Sequence, residues 1–420
     1  MDDRIVGLDI GTSKVTVVIG ERNENGVIEI TGVGTSPSSG CRKGVIINIE
    51  AAINAITEAV EAAEVMSGQE VRSCWCGIGG SEIEGLNSRG VVAIAGPNRE
   101  ICRDDIVRVT EAARAVTVPM DRQIIQTIPQ SYIVDDHKGI REPLGMIGVR
   151  LESEVHIITV AVTTMKNLVK CVNRAGLFAN DFLLLQVLAA GRAVLTPQEQ
   201  ELGVVLLDIG GGTTDVMVYF DGAPYSTFTV PIGGGEVTKD ISMIKSISVE
   251  TAENIKHQYG CCWEDVLDDE DILIPGIANR PPMTIPGYHI YRIVRPRMEE
   301  IFELVKNRLD YVNLPRPLSG GVVLTGGGAS LNGAAELAGE VFKMPARIGT
   351  PMRCGNLGGL VDGYCTPEYS TAIGLVLEGD VREREELFDR EGAPRSSPSK
   401  GARKPGVAGK IVNWMRNGLF

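Results

Sequence analysis

Ile5-Val-Gly-Leu-Asp9-Ile-Gly11-Thr-Ser-Lys14 and Val204-Val-Leu-Leu-Asp208-Ile-Gly210-Gly-Gly-Thr213 align without a gap when the chain is shifted by 199 positions (208 − 9). In each copy a continuous apolar strand runs into Asp-Ile-Gly, then a turn of small residues, then a β-branched strand, Val15 to Ile19 or Val216 to Phe220. That pattern predicts a hairpin with a polar tip. One such hairpin alone reads equally well as a plain turn, because glycine-rich turns are common. Two of them, far apart in one chain, predict a duplicated domain whose halves face each other across a cleft.

The tips carry the chemistry. Small residues let the backbone approach a phosphate chain closely, and both Gly11-Thr12-Ser13-Lys14 and Gly210-Gly211-Gly212-Thr213-Thr214 meet that need. Asp9 and Asp208, each at a strand end, suit a Mg²⁺ ion held through its waters, since that ion keeps several waters and takes few carboxylates. Lys14 adds a positive charge beside the phosphates. A third cluster, Gly326-Gly327-Gly328, follows the buried strand Val322 to Thr325 and offers a flat backbone to an adenosine, with Ser330 or Asn332 as cap of the next helix.

Bulk properties narrow the class. At 420 residues the chain exceeds one hydrophobic core, and its 43% hydrophobic and 23% charged content reads as globular. A net charge of −13 argues against general nucleic-acid binding. The charge is uneven: residues 391–420 hold six cations against Glu391, a surplus of five that leaves −18 on the rest. A basic tail on an acidic body points to an anionic surface as partner. The N-terminus lacks the basic and long apolar regions of a secretory signal, which predicts a cytoplasmic protein. No run of about 18 apolar residues predicts a membrane span. Nine scattered cysteines read as buried thiols. Cys74 with Cys76, or Cys261 with Cys262, lack a second pair or His cluster at zinc spacing.

Between the hairpins, helical and strand patterns alternate, the mark of an α/β fold. Glu50 to Ser67 reads as a helix ending at Gly68, and Val71 to Gly79 as a strand. Residues 85–160 read as an insert: strands at Val91 to Ala95, Gln123 to Val134 and His156 to Val162, with a helix near Asp104 to Ala115. Thr163 to Gly176 and Asp181 to Leu195 read as helices, as do Val249 to Tyr259 and Ile293 to Tyr311. Glu264 to Asp271 is an acidic loop, and Gly320 to Thr325 a buried strand. From Glu378 the composition turns to charge runs, then to a linker rich in Pro, Ser, Gly and Lys. Val407, Ile411, Trp414, Met415 and Leu419 then recur at helical spacing, with Lys410, Asn413 and Asn417 turned away.

The order Asp9-Ile-Gly-Thr-Ser-Lys14, Leu207 to Asp215, Leu324 to Leu331 resembles the two phosphate motifs and the adenosine motif of the superfamily of actin, sugar kinases and heat-shock chaperone ATPases. Within it, Gln126 to Asp135, Gly148 to Leu151, Glu201 to Val204, Pro231 to Ile241, Ile255 to Cys261, Tyr369 to Gly374 and Lys410 to Arg416 resemble the FtsA family of bacterial cell-division proteins over nearly the whole chain. The resemblance implies an actin-like duplicated two-domain fold with a central nucleotide cleft. Its first domain spans residues 1–84 and 161–200 and is interrupted by an FtsA-type subdomain at 85–160. Its second spans 201–242 and 313–377, the last part returning to the first domain, with a peptide-binding subdomain at 243–312. A flexible linker at 378–405 and an amphipathic membrane-targeting helix at 406–420 follow.

By the same resemblance Gly234 and Gly235 lie near the phosphates of a bound ATP, and Glu253 and Lys256 flank its ribose and base. Read from spacing alone, the last two make a surface ion pair. Asp208 and Asp215 are candidates to position water for hydrolysis, although proteins of this kind are weak ATPases and nucleotide is expected to act as a switch. The family's partners would be the C-terminal peptide of FtsZ, further copies in a filament, other division proteins and the anionic inner-membrane surface, reached from the cytoplasmic side at the division site. Arg280, Arg295 and Arg297 are candidates to meet the acidic peptide. Val407, Lys410, Ile411, Trp414, Met415, Arg416, Leu419 and Phe420 would form the membrane contact. The linker is shorter than the family pattern, and Gly235-Glu236 falls where relatives vary. An actin-like pilus-assembly or shape-determining protein, or a metabolic kinase of the same fold, are the alternatives, though a kinase has no use for a basic amphipathic tail.

Overall fold

The structure, a computed structural model, describes residues 4–95, 97–179, 183–275, 281–351 and 357–392. The two halves of the repeat become two sheets of the same topology. In the first, β1 (Arg4–Ile10) pairs antiparallel with β2 (Lys14–Arg22), β2 with β3 (Ile28–Pro37), and β6 (Ser73–Ile78) lies parallel on the far side of β1. In the second, β13 (Val204–Ile209) pairs with β14 (Thr214–Phe220), β14 with β15 (Ala223–Val230), and β18 (Gly321–Thr325) lies parallel beside β13. Short strands extend the sheets. The first gains β11 (Phe178–Ala179), β12 (Leu184–Leu185) and β20 (Leu357–Gly359), and the second gains β19 (Ala346–Ile348). A small hairpin, β4 (Cys41–Arg42) with β5 (Val45–Ile46), stands before α1 (Ile49–Ser67), and a second, β16 (Asp271–Ile274) with β17 (Met283–Pro286), lies between β15 and β18 in the chain.

The apolar runs are buried on both faces. Val6, Leu8 and Ile10 join one core with α1 and α3 (Val162–Arg174), while Ile5 and Val18 face the core built with α10 (Ser370–Gly392). In β13, Val204 and Leu206 reach the first core past α4 (Gln186–Val194), and Val205, Leu207 and Ile209 face the second core. That second core holds α6 (Gly234–Lys245), α7 (Val249–Tyr259), α8 (Tyr288–Asp310) and α9 (Ala334–Phe342). A strand between two helical layers has no solvent face, which is why the sequence shows unbroken runs rather than alternation. Helix ends follow local chemistry. Asn48 accepts a hydrogen bond from the Ala51 amide at the start of α1, and Gly68 closes it at φ 70°. The short α5 (Pro197–Leu202) opens on a Thr196/Glu199 capping box.

Several boundaries differ from expectation. The insert is a four-stranded sheet in the order β7 (Ile83–Ala93), β10 (Arg150–Ala161), β8 (Arg122–Val134), β9 (His137–Ile140), backed by α2 (Arg103–Arg114). Its first strand is longer than Val91 to Ala95 because Gly85, Asn87 and Gly90 hide the strand pattern. Its last begins six residues before His156. Helix α4 starts at Gln186, not Asp181, since Leu184 and Leu185 pair with β6. Helix α8 starts at Tyr288 and runs through Pro296. Ser330 and Asn332 do not cap α9, which opens at Gly333 with φ 80° and no side-chain cap. The main correction is at Glu378: α10 runs unbroken to Gly392, so the first part of the expected linker is helix. Charge runs satisfy a helix when their partners lie one turn away, as in Glu378 with Arg382 at 3.1 Å. Residues 393–420, with the whole expected membrane segment, lie outside the described residues, as does Arg280. Among the described residues no helix is long and apolar enough to cross a membrane.

Candidate functional site

The two hairpin tips meet. In each, the glycine after Asp-Ile closes the turn in the same way: Gly11 N–H donates to Lys14 O at 3.0 Å, and Gly210 N–H to Thr213 O at 2.9 Å. A Cβ on Gly211 would overlap the Ser13 hydroxyl, and one on Gly212 would press on the Thr12 side chain, so the two loops touch across a cleft. The cleft holds about 200 Å³ and is lined by Asp9, Gly11, Thr12, Ser13, Lys14, Asp208, Gly210, Gly211, Thr213, Asp215, Gly234, Glu253, Lys256 and Gly326 to Gly328. Residues from five distant stretches thus converge.

Three expected residues line no part of it. Thr214 is buried with its hydroxyl on Ile232 O at 2.9 Å, so it shapes the loop from behind. Gly212 lies against Thr12. Gly235 gives its N–H to Gly211 O at 2.8 Å, and Gly234 gives its own to Gly210 O at 2.9 Å. Those two amides brace the second loop instead of facing a ligand.

Three half-buried carboxylates form the floor. Asp208 stands opposite Asp215 in the β13–β14 register, and Asp9 is at the matching end of β1. Each is held by a neutral donor: Gln186 Nε2 reaches Asp9 at 2.5 Å, Thr371 Oγ1 reaches Asp208 at 2.8 Å, and Thr229 Oγ1 reaches Asp215 at 2.5 Å. Burial pushes Asp9 up to about 6. Burial, then the neighbouring Asp215 charge, pushes Asp208 up to about 7, and burial also raises Asp215. An all-oxygen set short of positive charge suits a hard divalent cation. Among the described residues no group of three or more His, Cys, Asp or Glu is placed to hold a metal directly.

The far wall is basic and polar. Lys256 Nζ donates to both Glu253 oxygens at 2.8 Å, to Thr238 Oγ1 at 3.0 Å and to Gly234 O at 3.4 Å. Burial raises the Glu253 carboxyl, but Lys256 and the Thr238 hydroxyl outweigh it and hold it low. The pair is therefore part of the cleft wall, not a simple surface bridge. Sequence reasoning missed Gln186, Thr371 and Thr229, and also Gly44, His257, Pro367 and Glu368, all four of which line the cleft. None lies in a glycine motif. The only usable signal was the polar Gln186 directly after an apolar run.

Arg295 and Arg297 are already engaged. Arg297 pairs with Asp240 at 2.6 Å, and Arg295 with Glu340 at 3.1 Å beside the Trp263 ring. Glu236, which had no assigned role, pairs with Lys239 at 2.7 Å.

Comparison with known proteins decides the family. Residues 205–374 match the family model described as cell division protein FtsA, and residues 80–159 match the SHS2 domain inserted in it. The cell division protein FtsA of Borreliella burgdorferi is 44% identical over 418 residues, covering 99% of each chain. The chain belongs to the FtsA family. It is an actin-like cell-division protein, and its four-stranded insert coincides with the SHS2 match. Solved structures agree on the fold: a PilM-PilN type IV pilus biogenesis complex (TM-score 0.63, 18% identity, covering 90% of this chain and 98% of that one) and MreB 5 of Spiroplasma citri bound to AMPPNP (0.55, 16%, 93% and 98%).

Proposed function

We propose that the chain binds ATP with Mg²⁺ in this cleft and uses occupancy as a conformational switch for a membrane-bound scaffold. The observation that carries the reading is the contact of two matching hairpin tips above three half-buried aspartates whose protons are held more tightly than usual. The loops Gly11 to Lys14 and Gly210 to Thr213 would take the phosphate chain. Gly326 to Gly328, with Glu253 and Lys256, would take the nucleoside. The fold likeness to a protein solved with AMPPNP supports the same placement.

Asp9 and Asp208 would hold the waters of the Mg²⁺ ion, which supplies charge neutralisation at the phosphate oxygens. Gln186, Thr371 and Thr229 orient the three carboxylates. Asp208 or Asp215 would accept a proton from a water near the terminal phosphate. Slow turnover suits a switch. At the scale of the cell, the chain would polymerise, carry FtsZ filaments by their C-terminal peptide on the subdomain around residues 240–310, and sit on the cytoplasmic face of the membrane through residues 406–420. Equilibrium dialysis tests the cleft. Asp208→Ala and Gly211→Asp are each expected to lose ATP binding, and parental affinity in both variants would remove the assignment.

A further inference from the structure

Lys14, at the tip of the first loop, is already held by an anion of its own chain. Its Nζ donates to Glu368 Oε2 at 2.9 Å and lies 3.9 Å from the centre of the Tyr369 ring. Both partners are 354 and 355 positions away, in the single turn Pro367–Tyr369 that lines the cleft with Pro367 and Glu368. The turn is braced on the adenosine side. Gly326 N–H donates to Pro367 O at 3.1 Å, and Thr325 Oγ1 donates to Ser370 Oγ at 2.8 Å. Two residues further, Thr371 holds Asp208. Residues 367–371 therefore join the first loop, the third glycine cluster and the aspartate floor, and they begin α10.

A carboxylate on the wall of a phosphate-binding cleft repels the ligand, so Glu368 is placed where it weakens binding unless it does something else. Phosphate on the first loop and the Glu368 carboxylate need the same ammonium. We propose that Glu368 is an internal competitor of nucleotide phosphate: it holds Lys14, yields it to the ligand, and so registers occupancy at the first turn of α10. The inference rests on the cleft being the nucleotide site. The pair is partly exposed, 29% for Lys14 and 41% for Glu368, and is therefore weak enough for a multiply charged phosphate chain to displace. Tyr369 keeps a cation-attracting face beside Lys14 during the exchange.

The test uses the full chain and Glu368→Gln, which keeps shape and removes charge. Affinities for ATP and for adenosine are measured by equilibrium dialysis with Mg²⁺ at low and high salt. Glu368→Gln is expected to bind ATP about two- to fivefold more tightly, with adenosine unchanged, and the gain shrinks at high salt. Amide hydrogen exchange over residues 368–376 is expected to rise with ATP in the parent and to be already raised in the variant. Equal or weaker ATP binding by the variant, or an equal shift for adenosine, overturns the proposal. A parent that binds neither ligand overturns the cleft reading and this inference together, whereas a parent that binds ATP with no gain in the variant removes the inference alone.

Discussion

Asp208 shows how burial and charge crowding set one side chain's behaviour. Its folded pKa of about 7 stands above the unfolded value of 3.8, so between those limits the folded chain keeps a proton that the unfolded chain has released. Stability linked to this group is present at low pH and lost as pH rises through 7. Asp208→Asn removes the cost and keeps an acceptor for Thr371. Its advantage over the parent in thermal denaturation without nucleotide is expected to be larger at pH 8 than at pH 5, by about 2–3 kcal/mol. A gap that does not widen with pH would refute the assignment. His156 works in the opposite sense. It is buried between Asn87 Oδ1 at 2.6 Å and Thr227 Oγ1 at 3.0 Å, and burial pushes it down to about 4 from 6.5. Its contribution is present above about pH 6.5 and lost as pH falls toward 4. His156→Ala leaves the buried Thr227 hydroxyl short of a partner, at a cost of about 1–3 kcal/mol. Urea titrations at pH 7 and pH 5 are expected to show the smaller difference at pH 5, because the parent has by then lost part of the same stability.

At the scale of elements, the insert covers an open edge. β15 ends the second sheet, and its carbonyls there would invite another strand. Asn87 Nδ2 donates to Tyr225 O at 3.0 Å, and Gln130 Nε2 to Pro224 O at 2.9 Å. Gln130 is free to do so because the β8–β10 register skips it beside Pro129, where no N–H is available for pairing. The insert is thus packed on both halves, and deleting residues 85–160 would expose that edge. Helix α10 is equally tied down beyond the expected boundary: Arg22 Nε donates to Asp380 at 2.7 Å, and Trp75 Nε1 to Glu383 at 3.2 Å. A chain ending at Gly392 is expected to melt with the parent. One ending at Leu377 should lose about 1–3 kcal/mol, read by thermal denaturation.

At the scale of the whole molecule, the function we propose requires a switchable body joined to a surface-seeking tail. Residues 407–419 would form a helix of roughly 20 Å, too short for a hydrocarbon core of about 30 Å, so it would lie in the interface. Trp414→Glu puts a charge in the middle of the apolar face. The variant is expected to leave anionic vesicles in flotation assays while keeping ATP affinity, and flotation equal to the parent would refute the anchor. Much of the architecture was legible from residues alone. The repeat, both hairpins, α1, α3 and α7 and the glycine clusters rest on local patterns, because apolar runs and small turn residues specify strands and tips without distant help. The ligand-facing polar residues did not announce themselves. Gln186 meets Asp9 across 177 positions and Thr371 meets Asp208 across 163, and neither residue type has a local signature for that role. The helical state of Glu378 to Gly392 needed partners on β2 and β6 that composition cannot name. Protonation of the aspartates was likewise settled only by the fold, since a carboxylate's pKa depends on how much water and how many like charges the packed chain leaves around it.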